Sequence, residues 1–129
     1  MIRTQGTHIL LELWQVPELS LSDFAFVKNT LIQATTASCT SYEGFKFSKC
    51  KPTGISGVLL LKEGHLSVRT WPERGYASFD IYTCGGEVSA RKAMKYLVET
   101  LKPGKHNAIT IERGFETNEA MQIKINEVV

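Results

Sequence analysis

Gly54-Ile55-Ser56-Gly57-Val58-Leu59-Leu60-Leu61 runs through Glu63-Gly64-His65 into Leu66-Ser67-Val68-Arg69-Thr70-Trp71, then through Pro72-Glu73-Arg74-Gly75 into Tyr76 and on to Thr83. Two turn signals divide this stretch into three segments of strand character. Val58-Leu59-Leu60-Leu61 is a continuous apolar run too short for a helix between its glycines, and it reads as a buried strand. Glu63-Gly64 reads as a tight turn, because glycine reaches positive φ without steric penalty. Leu66, Val68 and Thr70 then alternate with Ser67 and Arg69, the period of a return strand. After the second turn, at Pro72-Glu73-Arg74-Gly75, the same period continues through Ala77, Phe79, Ile81 and Thr83.

Outward from this core, His8 to Trp14 reads as a first strand that ends at Pro17. Ser20-Leu21-Ser22-Asp23 has the look of a capping box, and Leu21, Phe24, Val27, Leu31 and Ala34 follow at helical spacing. Residues 40 to 51 read as a ragged strand around Tyr42, Phe45 and Phe47. Ser89 is expected to cap a second helix with Ala93, Met94, Leu97 and Leu101 on its apolar face, stopped by Pro103-Gly104. Ala108 to Ile111 and Met121 to Ile125 add two further strands. Many strands, short turns and two helices imply an α+β fold: a two-layer sandwich of one antiparallel sheet with both helices on one face. Residues 1–129 read as a single domain. The other sheet face is left without cover. If strands such as Val58 to Leu61 are apolar on both faces, two sheets pack together across a homodimer.

The chain has 129 residues, 43% hydrophobic and 22% charged, with a net charge of +2. Basic residues are scattered among acids, which argues against nucleic acid as a partner. No apolar stretch approaches the roughly 20 residues of a bilayer span, so no membrane partner is expected. Cys39, Cys50 and Cys84 sit at no metal-binding spacing and read as reduced thiols of a cytoplasmic protein.

The order Gly54-Ile55-Ser56-Gly57-Val58, Glu63-Gly64-His65, Arg69-Thr70-Trp71-Pro72-Glu73, Gly75-Tyr76-Ala77 and Asp80-Ile81-Tyr82-Thr83-Cys84-Gly85 resembles the core of prokaryotic S-adenosylmethionine decarboxylases. Gly6-Thr7-His8 and Glu112-Arg113-Gly114 resemble that family's opening and closing segments. Several motifs in register are far more specific than one. The resemblance implies a precursor that cleaves itself at Glu-Ser-His: the serine hydroxyl attacks the preceding carbonyl, and elimination leaves an N-terminal pyruvoyl group. That ketone is the electron sink for decarboxylating S-adenosylmethionine, whose product feeds spermidine synthesis.

Against this pattern Gly64 stands where the serine is expected, at the Glu63–Gly64 junction. Glycine has no oxygen to attack the Glu63 carbonyl, so no pyruvoyl cofactor is expected, and Ser67 lies in the wrong peptide to substitute. Arg69 stands at the position of a processing histidine, and arginine stays protonated near neutral pH. Two changed processing residues favour natural divergence over an introduced trap. Cys50 lies where an adenine-holding aromatic is expected. Other positions match the family: Cys84 its proton donor, Ser56 a serine near the processing site, Glu73 a ribose-binding carboxylate, with Glu63 and His65 flanking the old junction. On residue type alone, Cys84 reads more readily as a small buried hydrophobe, and His65 equally as a turn residue. A hydrolytic set of Cys84, His65 and Glu63 has suitable types but no spacing that fixes it. His8 and His106 are assigned nothing. The expectation is a non-catalytic homologue that binds an S-adenosylmethionine-like or amine ligand, or an active decarboxylase paralogue. The alternative is a functional pyruvoyl-type decarboxylase of S-adenosylmethionine or another amino acid.

Overall fold

The computed structural model describes residues 4–115 and 123–128. Along the chain lie β1 (Gly6–Trp14), α1 (Glu18–Ser22), α2 (Phe24–Ala37), β2 (Tyr42–Lys49), β3 (Ile55–Leu61), β4 (Gly64–Trp71), a 3-10 turn (Pro72–Arg74), β5 (Tyr76–Thr83), α3 (Glu87–Leu101), β6 (Lys105–Arg113) and β7 (Ile123–Val128). The strands form one seven-stranded sheet in the order β2-β3-β4-β5-β1-β6-β7, and every neighbouring pair is antiparallel. No helix among the described residues is long and apolar enough to cross a membrane.

The two long helices pack side by side on one face, α2 against β2 and β3 and α3 against β1 and β5. Beneath them Ile9, Leu11, Leu13, Leu59, Leu66 and Ile81 are buried against Leu31 and Leu97. Because side chains alternate along a strand, His8, Glu12, Ser67, Arg69, Asp80 and Tyr82 point to the opposite face, which no described element covers. The α+β two-layer expectation therefore holds, with helices on one face only.

Several local expectations are corrected. Val58 to Leu61 is not buried throughout: Leu59 is 0% exposed but Leu60 is 55% exposed, because helices cover only one face. The segment from Ser20 does not open one helix. Pro17 precedes the short α1, and Asp23 caps α2 by accepting from the Phe26 amide at 3.0 Å. Ser89 does not cap α3. Gly86 does so with φ 106°, a value that favours glycine, and the Ser89 hydroxyl instead donates to the Ser38 carbonyl at 3.0 Å. The turn after β3 is Lys62-Glu63, whereas Gly64 is already the first residue of β4 and is absent from the glycines with positive φ. Its glycine character has another cause, given below. β7 begins at Ile123; Met121 and Gln122 lie outside the described residues.

Candidate functional site

Gly64 pairs with Thr83 across the β4–β5 ladder, and the Cys84 amide donates to the Glu63 carbonyl at 2.8 Å. The Glu63–Gly64 junction and Cys84, far apart in sequence, are thus fastened together by backbone. The approach at Gly64 is too close for a side chain. An added Cβ would overlap the Tyr82 carbonyl oxygen and sit 2.7 Å from the Tyr82 carbonyl carbon and 2.9 Å from Thr83 Cα. Glycine is therefore required here by proximity to backbone, not by turn geometry.

Around Cys84 the half-buried Tyr82 is central. Its hydroxyl lies 3.8 Å from Cys84 Sγ. That contact, then burial, then the Cys84 charge hold the phenol above its ordinary range, with Arg113 pulling weakly the other way. His65 on β4 and His8 on β1 flank the Tyr82 ring at 5.5 and 5.9 Å between centroids, and the Arg113 guanidinium lies 4.9 Å from it. Asp80 Oδ1 meets His8 Nε2 at 3.1 Å, and Asp80 Oδ2 accepts from the Ser67 hydroxyl at 3.1 Å. Burial, and then the neighbouring His8, push His65 below its ordinary 6.5. Beside Cys84 opens a cavity of about 350 Å³ lined by Gly6, Thr7, Gly86, Glu87 and Glu112.

A second group lies further along the same uncovered face. Ser56 on β3 pairs with Arg69 on β4, and Arg69 pairs with Ser78 on β5. The Arg69 guanidinium sits 5.1 Å from the Trp71 ring. Trp71 in turn leans on Tyr76, which stacks on Trp14 at 4.2 Å between centroids. Burial and the Glu12 carboxylate push the Tyr76 phenol up to about 12. Glu73, in the 3-10 turn, accepts the Thr53 hydroxyl at 2.8 Å; its own backbone amide and Thr53 hold its carboxyl below the ordinary value. Cys50 is half-buried, with its amide bonded to the Gly54 carbonyl at 2.9 Å.

The sequence-derived site residues therefore fall into two groups. Glu63, Gly64, His65 and Cys84 share one end of β4, and Ser56, Arg69 and Glu73 share the other. At the rise of an antiparallel strand, Gly64 and Arg69 are about 17 Å apart along β4. The hydrolytic arrangement does not form, since no hydrogen bond joins His65 to Cys84 among the described residues, and Cys84 bonds Tyr82 instead. Sequence reading missed His8, Asp80 and Tyr82 as one cluster. They alternate outward on β1 and β5, but only the register that sets His8 opposite Tyr82 reveals it.

With this geometry in view, comparison with known proteins is direct. Residues 7–114 match the family described as S-adenosylmethionine decarboxylase. The S-adenosylmethionine decarboxylase proenzyme of Sulfurihydrogenibium sp. (strain YO3AOP1) is 41% identical over 88% of this chain and 86% of its own length. The proenzyme of Methanococcus aeolicus is 38% identical over 84% of this chain and 93% of its own. The crystal structure of the adenosylmethionine decarboxylase from Aquifex aeolicus VF5 superposes with a TM-score of 0.83 at 32% identity, covering 94% of this chain and 100% of that one. Fold, motif order and sequence identity thus agree over nearly the whole length, and the chain belongs to the S-adenosylmethionine decarboxylase family.

Proposed function

We propose that this chain is a homologue that stays intact and non-catalytic, serving the polyamine pathway as a ligand-binding or regulatory protein. The observation that carries this reading is Gly64 at the Glu63–Gly64 junction. A pyruvoyl group needs a hydroxyl on the residue after Glu63, and glycine supplies none, so the residues present do not fit that group. Two further features support the reading. A Cβ at position 64 would overlap the backbone of Tyr82, so the strand pair is fitted to glycine. The Ser67 hydroxyl is engaged with Asp80 at 3.1 Å and is not free to take over. In this reading the surroundings of Cys84 and Arg69 hold an S-adenosylmethionine-like or amine ligand, or the chain associates with an active relative.

A homodimer through the uncovered sheet face belongs to the same reading. Leu60, Trp14 and Ile109 are 55%, 37% and 37% exposed, and all three lie on that face by strand alternation. His65 of the first group and Arg69 of the second also share it, about 14 Å apart along β4. A two-fold related copy can set the Cys84 end of one chain against the Arg69 end of the other.

A second reading, a working decarboxylase of S-adenosylmethionine or another amino acid, is favoured by the relatives named proenzymes. It requires Gly64 to be an introduced trap, or processing by another route. Mass spectrometry of the denatured chain separates the two: an uncleaved chain supports the first reading, and a pyruvoyl-capped fragment starting at position 64 sinks it.

A further inference from the structure

On the uncovered face His8, Tyr82 and His65 stand in one row across β1, β5 and β4, and Ile111 and Leu60 extend that row on either side. The Arg113 guanidinium lies 4.9 Å from the Tyr82 ring that both imidazoles flank. Its Nη1 stands 3.5 Å from His8 Nδ1, while His8 Nε2 meets Asp80 Oδ1 at 3.1 Å. Arginine only donates, so His8 accepts through Nδ1 and gives the proton on Nε2 to Asp80. That is the neutral imidazole. Burial first, then His8, and last Arg113 push His65 below its ordinary 6.5, while Asp80 pulls the other way. The remaining acids nearby turn elsewhere. Glu63 carries its Oε2 toward Gly85, Glu112 accepts the Thr7 hydroxyl on the helix side, and Glu12 accepts from Tyr76 at 2.7 Å. Tyr82 is a neutral phenol in contact with Cys84, and β3 supplies the uncharged Leu60. Asp80 is thus the only carboxylate turned to this cluster among the described residues.

With both imidazoles neutral, Asp80 balances Arg113. With both protonated, the cluster holds three cations against one carboxylate, and His8 and Arg113 face each other as like charges across 3.5 Å. In a lone chain water screens that excess. Between two packed sheets it loses its water, and a two-fold copy brings the same excess to the same interface. The cluster sits among residues that such packing covers, with Leu60 beyond His65 in its row and Ile109 beside Ile111 on β6. We propose that His8, His65 and Arg113 form an acid-sensitive lock on the homodimer, closed at neutral pH and opened when the two imidazoles gain protons. The proposal deepens the homodimer reading and rests on it. Separated chains take up protons more readily than paired ones, so by linkage a falling pH favours separation. Asp80 sets the strength of the lock, because it offsets one of the three positive charges.

Sedimentation velocity on the full chain, over a concentration series at about pH 7.5 and about pH 5.5, tests it. The dissociation constant of the dimer is expected to rise about tenfold or more on acidification, with unchanged far-ultraviolet circular dichroism. His8→Gln and His65→Gln each remove one titrating group and keep a donor. Each is expected to lessen the rise, and the double variant to abolish it. Asp80→Asn removes the counter-charge and is expected to move separation to higher pH, a readout that does not depend on the histidine variants folding. A parent dimer equally tight at both pH values would overturn the proposal. So would a double variant that separates in acid as the parent does, or an Asp80→Asn dimer that separates at the parent's pH. Circular dichroism lost at about pH 5.5 would overturn it too, since acid would then act by unfolding. A chain that is monomeric at both pH values sinks the homodimer reading itself, whereas a dimer indifferent to pH sinks only the lock.

Discussion

Replacing Gly64 by serine restores the missing hydroxyl, and its cost can be worked from the structure. The new Cβ meets the Tyr82 carbonyl oxygen, the Tyr82 carbonyl carbon at 2.7 Å and Thr83 Cα at 2.9 Å. All three are backbone atoms, so no side chain can swing aside, and β4 must separate locally from β5. Overpacking of this kind costs about 1–3 kcal/mol, and the absence of a yielding side chain puts Gly64→Ser toward the upper end. For a chain of this length each kcal/mol lowers the melting temperature by roughly 3–5 °C. A loss of about 2–3 kcal/mol is therefore a drop of roughly 6–15 °C. Gly64→Ala should fall by a similar amount, since the strain lies in Cβ and not in the hydroxyl. Gly64→Ala has no hydroxyl and cannot cleave, and Gly64→Ser should not cleave either, because Arg69 cannot act as a proton acceptor near neutral pH. The assay is thermal unfolding by circular dichroism, with electrophoresis for cleavage. A Gly64→Ser protein that melts within about 1 °C of the parent and splits at position 64 would refute the reasoning on both counts.

Leu60→Glu, which puts a charge on the uncovered face, should convert a dimer to a monomer in sedimentation velocity; a parent chain that is already monomeric would remove the packing proposal. Asp23→Ala removes the carboxylate that accepts from the Phe26 amide and should cost about 1 kcal/mol of stability, read by urea denaturation; no change in the midpoint would deny the cap its role. His65, pushed below 6.5 by burial and by His8, binds its proton less readily folded than unfolded. The unfolded state then holds more protons near and below pH 6.5, so the stability from neutral His65 is present above that pH and declines as pH falls through the folded value. An NMR titration should find its midpoint below 6.5, and one at or above 6.5 would contradict the burial argument.

How much of this was legible beforehand differs from element to element. Tyr76–Thr83 could be delimited from its alternation and the preceding Pro72 and Gly75, because local chemistry sets both its period and its ends. Leu60 could not be placed from Val58-Leu59-Leu60-Leu61, since a run of leucines carries no information on which face is covered. Ser89 looked like a cap by residue type, but the two preceding glycines let the helix start earlier, and Ser89 found a partner 51 positions away in Ser38. The motif residues of the site could be read in order along the chain. Their division into a Cys84 end and an Arg69 end depends on register between strands, which residue order does not encode. The cluster of His8, Asp80 and Tyr82 was hidden for the same reason, since β1 enters the sheet beside β5 with more than sixty residues between them in sequence.

The central claim is that the Glu63–Gly64 bond stays whole for want of a hydroxyl, and the intact mass of the purified chain under denaturing conditions tests it most directly. A single species at the full-length mass is the predicted result. Two fragments parted between Glu63 and Gly64 would contradict the account and return the protein to the working decarboxylases.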